Sequence, residues 1–148
     1  MKRKPISTKE NIFNHMLLEE VLISGIFIGI VVFAIWYILI NKLSLDVSVA
    51  RGYIMMLMVF IQNIHVFNCR SEKESAFSIP LRNNPLIVFT IFGSIFLQII
   101  VMEVPVLSKY LKTSPIPYQH MFMLILLGLV ILIVMEMYKL IKYSKKKI

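Results

Sequence analysis

The chain has 148 residues, 58% of them apolar and 16% charged, with a formal net charge of +8. That leaves too little polar cover for a small water-soluble domain, and the long apolar runs assign the basic excess to a membrane surface and to no nucleic acid. Cys69 stands alone, so neither an intramolecular disulfide nor a Cys/His zinc array can form.

Residues 1–20 are expected to form a basic cytoplasmic and interfacial segment. Within it Ser7 and Glu10 have capping-box spacing, and residues 12–18 are apolar enough to lie along the interface. The first apolar run is longer than the core of a secretion signal, and no small-x-small cleavage site follows it, so it is expected to remain as a permanent helix. Four spans follow in chain order, at about residues 21–40, 52–68, 86–102 and 121–138. The first is uncharged and long enough to cross a core of about 30 Å at about 1.5 Å per residue. The second, between Arg51 and Arg70, holds more polar groups than lipid contact on every side tolerates. Asn84-Pro85 opens the third, and Glu103 and Pro105 close it, as suits proline at a first helical turn. Pro115 and Pro117 precede the fourth, and residues 139–148 make a basic cytoplasmic tail. Short connectors predict that successive helices pack antiparallel. The expected fold is all-α, an integral membrane four-helix bundle.

Charge sets the orientation. With both termini cytoplasmic, Lys2, Arg3, Lys4, Lys9, Arg70, Lys73, Arg82, Lys139, Lys142, Lys145, Lys146 and Lys147 lie inside, and only Lys42, Arg51, Lys109 and Lys112 lie outside. The inverted topology breaks the positive-inside rule at each cytoplasmic segment. Trp36, Tyr37, Tyr110 and Tyr118 then gather at the outer interface, where amphipathic rings settle.

The polar residues of the second span are Gln62, Asn63, His65 and Asn68. At about 100° per residue, Gln62, His65 and Asn68 share a stripe about 120° wide. Two readings are open: a contribution to an ion or substrate path, or interhelical hydrogen bonds worth about 0.6 kcal/mol each. Gly25 and Gly29 form a GxxxG pair that permits close approach of another helix. Glu103 and Glu136 sit near span ends, where a carboxylate reaches headgroup water. No phosphate-binding loop, nucleophile elbow, HExxH motif or paired catalytic carboxylates is present in the sequence.

The run His65-Val66-Phe67-Asn68-Cys69-Arg70-Ser71-Glu72, continuing to Ser75 and Phe77, resembles the junction after the eighth membrane helix of P-type cation-transporting ATPases of the calcium-pump type. Ala50-Arg51 and the methionine-rich residues 52–58 look like the start of that helix. Leu97-Gln98 and Val104-Pro105-Val106-Leu107 resemble the ninth helix and its exit, and Glu136 with Lys139-Leu140 resembles the end of the tenth. Residues 2–13 and the Gly25/Gly29 helix look like the loop after helix six and helix seven.

The resemblance implies that the chain corresponds to helices seven to ten, the C-terminal membrane domain of such a pump. Its partners are then the lipid bilayer and the rest of the pump, meaning helices one to six and the cytoplasmic domains, in the cell membrane. It further implies that Gly25 and Gly29 let helix seven lie against helix five, and that Gln62 aligns with a possible cation ligand on helix eight. An amide coordinates through its carbonyl oxygen but adds no charge, so a hard divalent cation is held more weakly there. The sequence holds no DKTG phosphorylation motif. The chain is therefore expected to be no enzyme by itself and to bind no cofactor alone, calcium or another cation entering only in the assembled pump. The alternative is a stand-alone four-helix regulator or interaction module.

Overall fold

The structure is a computed structural model in which residues 15–69 and 84–144 are described. The expected Ser7/Glu10 capping box, residues 70–83, and Lys145, Lys146 and Lys147 lie outside the described residues. Among those described, every regular element is helical. Helix α1 (His15–Tyr37) runs into a π-helical turn (Ile38–Lys42), followed by α2 (Val47–Asn68), α3 (Pro85–Glu103), the short α4 (Pro105–Leu111) and α5 (Tyr118–Ser144). Among the described residues four helices are long and apolar enough to cross a membrane, as the composition predicts.

The helix ends follow local chemistry. Asp46 caps α2, its carboxylate accepting from the Ser48 backbone N–H at 3.0 Å, which satisfies one of the donors a first turn leaves unpaired. Pro85 and Pro105 open α3 and α4, where a missing N–H costs nothing. Helix α4 ends on Lys112 in the left-handed conformation, φ 53° and ψ 46°. The connection between α3 and α5 thus contains a short helix where the sequence suggests only an exit.

The helices do not pair simply in chain order. The principal contact joins α2 to α5, while α1 and α3 flank α2 and α1 also touches α5. The α2–α5 pair is parallel: Ser48 and Tyr53 at the start of α2 meet Ser114 and His120 at the start of α5, and Asn68 at the end of α2 meets Lys139 near the end of α5. Two helices separated by one full crossing and return must point the same way, and the least apolar span takes the central place between three neighbours. A third of the α2 span, 33%, is buried, against 11% for α1 and α3.

Met56, Leu57, Phe60 and Ile61 of α2 form the core with Leu124, Ile131 and Met135 of α5, joined by Met102 and Ile116. Lipid tails are as apolar as these side chains, so the contact is held by close van der Waals fit rather than by expulsion of water. Glycine supplies that fit. A β-carbon at Gly52 would lie 2.3 Å from the Ser114 carbonyl oxygen, and one at Gly128 would lie 2.9 Å from Cδ1 of Ile64.

Candidate functional site

The polar residues of α2 separate into distinct environments along one helix. Gln62 is exposed, His65 is half-buried, and Asn68 is 0% exposed. Asn63 turns to α3, where its Nδ2 donates to Ser94 Oγ at 2.7 Å. The Ser94 hydroxyl in turn has Asn63 Oδ1 at 3.0 Å and the Ile91 carbonyl at 2.9 Å as acceptors for its single proton. This is an interhelical clamp of the kind polar residues form in lipid. The stripe expected from helical periodicity is therefore graded, passing from the bundle surface at Gln62 to its interior at Asn68.

At the end of α2 the interior is polar. Lys139 of α5, 3% exposed, donates from Nζ to the Asn68 backbone carbonyl at 2.7 Å. A C-terminal carbonyl of α2 thus receives the charged donor that a helix end favours. The Asn68 side chain makes no hydrogen bond with the described residues, and the same holds for Nδ1 of His65. Glu20 of α1, 8% exposed, is buried at the same end of the bundle, where its charge and that of Lys139 both act on Cys69. Alongside, Glu19 forms an ion pair with Lys142. Tyr138 bridges them, its hydroxyl donating to Glu19 at 3.2 Å and accepting from Lys142 at 2.7 Å. The sequence places Lys139 and Lys142 in the expected basic tail; the structure turns both onto neighbouring helices. The signal was present in register, since Lys139 continues the buried line of Leu124, Ile131 and Met135 on α5.

The opposite end is fastened differently. Ser48 and Ser114 share a hydroxyl hydrogen bond at 2.8 Å, and the Ser114 N–H donates to the Ser48 carbonyl at 3.1 Å. Tyr53 and His120 share a 2.5 Å hydrogen bond between the phenol oxygen and Nδ1, and the Tyr118 hydroxyl donates to Glu103 at 3.1 Å. Asp46 lies below its ordinary pKa of 3.8, because the Ser48 hydroxyl and backbone N–H both donate to it. In α3, Gln98 is 8% exposed and its Nε2 has no partner among the described residues. It is a buried polar group that the stripe argument on α2 did not reach.

Gly25 and Gly29 lie together on an exposed face of α1, with nothing within 4 Å of a β-carbon built on either. Ile26, Ile30 and Phe33, at 62 to 69% exposure, extend that surface. No group of three or more His, Cys, Asp or Glu side chains that could hold a metal ion is found among the described residues. Gln62 stands exposed on the surface of α2.

Fold and site together define a multi-pass membrane domain, pinned at both ends and open along one helix. Residues 1–141 match the family described as cation transporting ATPase, C-terminus, and the chain belongs to that family. It is 32% identical over 116 residues to a calcium-transporting ATPase of Bacillus subtilis (strain 168), which covers 78% of this chain and 13% of that protein. To human calcium-transporting ATPase type 2C member 1 it is 27% identical over 150 residues, covering 100% of this chain and 16% of the relative. To calcium-transporting ATPase type 2C member 2 of Rattus norvegicus the identity is 28% over 142 residues, covering 95% and 15% respectively. The chain thus spans less than a fifth of the length of these relatives. A C-terminal transmembrane domain of calcium-transporting P-type ATPases is what the matches support, and they do not favour a stand-alone module.

Proposed function

We propose that this domain serves ATP-driven cation transport, with calcium as the transported ion, by bracing the ion-binding helices of the pump while contributing no hydrolysis of its own. The open glycine face of α1 carries the reading. In lipid, a small-residue face gains energy only when another helix comes close enough to use it, and the bundle already fills Gly52 and Gly128 while leaving Gly25 and Gly29 open. Helix five of the pump is the proposed occupant, with helices one to six and the cytoplasmic domains as the wider partner. The domain would lie in the cell membrane with both termini on the cytoplasmic side, as its charge distribution favours.

Gln62 is proposed to lend its carbonyl oxygen to the cation as one ligand among several. Its exposure supports this, because Ca²⁺ takes about 6–8 oxygen ligands and one surface amide needs the rest from other helices. Asn63 is committed to Ser94 and is left out of the cation path. His65 and Asn68 are proposed to stabilise the polar end of α2.

The test is calcium-dependent ATP hydrolysis by the catalytic portion of the pump, co-expressed with and without this chain. Restoration of calcium-stimulated turnover only when the chain is present is the expected result. Equal turnover in both preparations would remove the bracing role.

A further inference from the structure

The π-helical turn after α1 (Ile38–Lys42) does more than end the helix. Widening the helix at this point turns Leu39 inward, to 7% exposure, while Ile38 and Leu43 stay at the surface, 43 and 60% exposed. Ser44 follows with φ 50°, a left-handed conformation uncommon for a residue with a side chain. Such turns concentrate at functional positions. A cavity of about 360 Å³ lies between the end of α1, this turn and the starts of α2 and α5.

The chemistry of this cavity is one-sided. Its wall is aliphatic, with Leu39 and Leu124 buried at its base and Ile38, Leu43 and Met123 at its rim. Met123 is 61% exposed, so the rim belongs to the lipid-facing surface. Among the described lining residues the polar side chains are Tyr53 and His120, hydrogen-bonded to each other at an exposed position. A cavity of this size falls in the range of ligand sites, about 300–1,000 Å³, and apolar walls keep water out even at smaller volumes. A ligand that fits has a long apolar part and one polar group at its end.

The geometry points to a binding site for one acyl chain of a phospholipid, the chain lying against Leu39 and Leu124 and the ester region meeting Tyr53 and His120. The phospholipid is the favoured source of that chain because the rim opens sideways onto the face of a membrane helix, at the level where its neighbours carry Trp36 and Tyr37. The inference needs only the membrane setting, not the identity of the transported ion, so either can fail without the other.

The full chain can be reconstituted in phosphatidylcholine vesicles carrying a photoactivatable diazirine on the acyl chain a few carbons from the ester, illuminated, and mapped by peptide mass spectrometry. Labelling is expected at Leu124 and Leu127 inside the cavity as well as at Phe89 on the exposed face of α3. Leu127→Trp, which fills the cavity, should cut the Leu124 labelling at least tenfold and leave Phe89 labelled as before. Met123→Trp, at the exposed rim, blocks the mouth without disturbing the core and should produce the same selective loss. His120→Ala should reduce the cavity labelling severalfold. Persistence of the Leu124 label at its original level in the Met123→Trp protein would overturn the site, as would labelling confined to Phe89 in the unsubstituted chain. A parallel series with the same diazirine on a free fatty acid separates the two sources: cavity labelling by the fatty acid but not by the phospholipid would overturn the proposal.

Discussion

A β-carbon added to Gly52 would strike the Ser114 backbone at 2.3 Å, and one added to Gly128 would crowd Ile64 at 2.9 Å, whereas Gly25 and Gly29 have nothing within 4 Å. The first two glycines let α2 and α5 close on each other; the second two form an open groove along α1. The same residue type therefore marks a completed contact in one region and an uncompleted one in another. In a solvent of lipid tails, where burial alone supplies little driving force, that difference separates the part of the bundle packed on itself from the part proposed to take a neighbour.

The sharpest way to break this contrast is to enlarge the glycines one at a time. Gly52→Leu meets backbone rather than a flexible side chain, so the cost is expected at or beyond the upper end of the usual overpacking range of about 1–3 kcal/mol. Detergent-solubilised Gly52→Leu should unfold or aggregate in thermal denaturation. Gly25→Leu should stay within about 0.5 kcal/mol of the parent in the same assay. Equal destabilisation by the two changes would erase the distinction between the regions.

Next in size is the pin at the far end of the α2–α5 pair. Replacing Lys139 with methionine keeps the apolar stem but removes the charged donor to the Asn68 carbonyl. A hydrogen bond to a charged group contributes about 1.5–3 kcal/mol, and the melting temperature should fall accordingly. Lys142→Met, at an exposed ion pair with Glu19, should have a smaller effect than Lys139→Met, since solvent screens a surface pair.

The flank on the other side of α2 is held more lightly. A double-mutant cycle on Asn63→Ala and Ser94→Ala should return a coupling energy of about 0.6 kcal/mol. No coupling would mean that the 2.7 Å contact adds nothing to the α2–α3 interface. The smallest effect is expected at Asp46. Its folded pKa lies below the ordinary 3.8, so the cap contributes fully above that value and fades as pH falls below 3.8 and through the folded pKa. Asp46→Asn should flatten the acid limb of a stability-against-pH curve and leave the neutral region nearly unchanged.

Much of the architecture could be read from residue order, and the reasons are specific. Uninterrupted apolar length defines a span without reference to its neighbours, and Pro85 marks a helix start because its chemistry suits that place, whereas Pro105, read as an exit, opens α4. Pairing is another matter. Periodicity shows which face of α2 is polar but not that α5, rather than α3, lies against most of the buried side. The Gly25/Gly29 spacing drew attention as a packing motif, while Gly52 and Gly128, isolated among methionines and leucines, gave no comparable pattern. Lys139 shows the same limit. A lysine near a span end fits an anchor equally well as a buried donor, and only its register with Ile131 and Met135 separates the two.

The central claim is that the α1 groove belongs to another part of the pump. It is tested most directly by capturing an epitope-tagged fragment holding helices one to six and the cytoplasmic domains with the unsubstituted chain and with its Gly25→Leu variant, in a detergent where both domains melt at the same temperature. The account predicts that the unsubstituted chain retains the fragment and that Gly25→Leu loses it. Equal retention by both would contradict it.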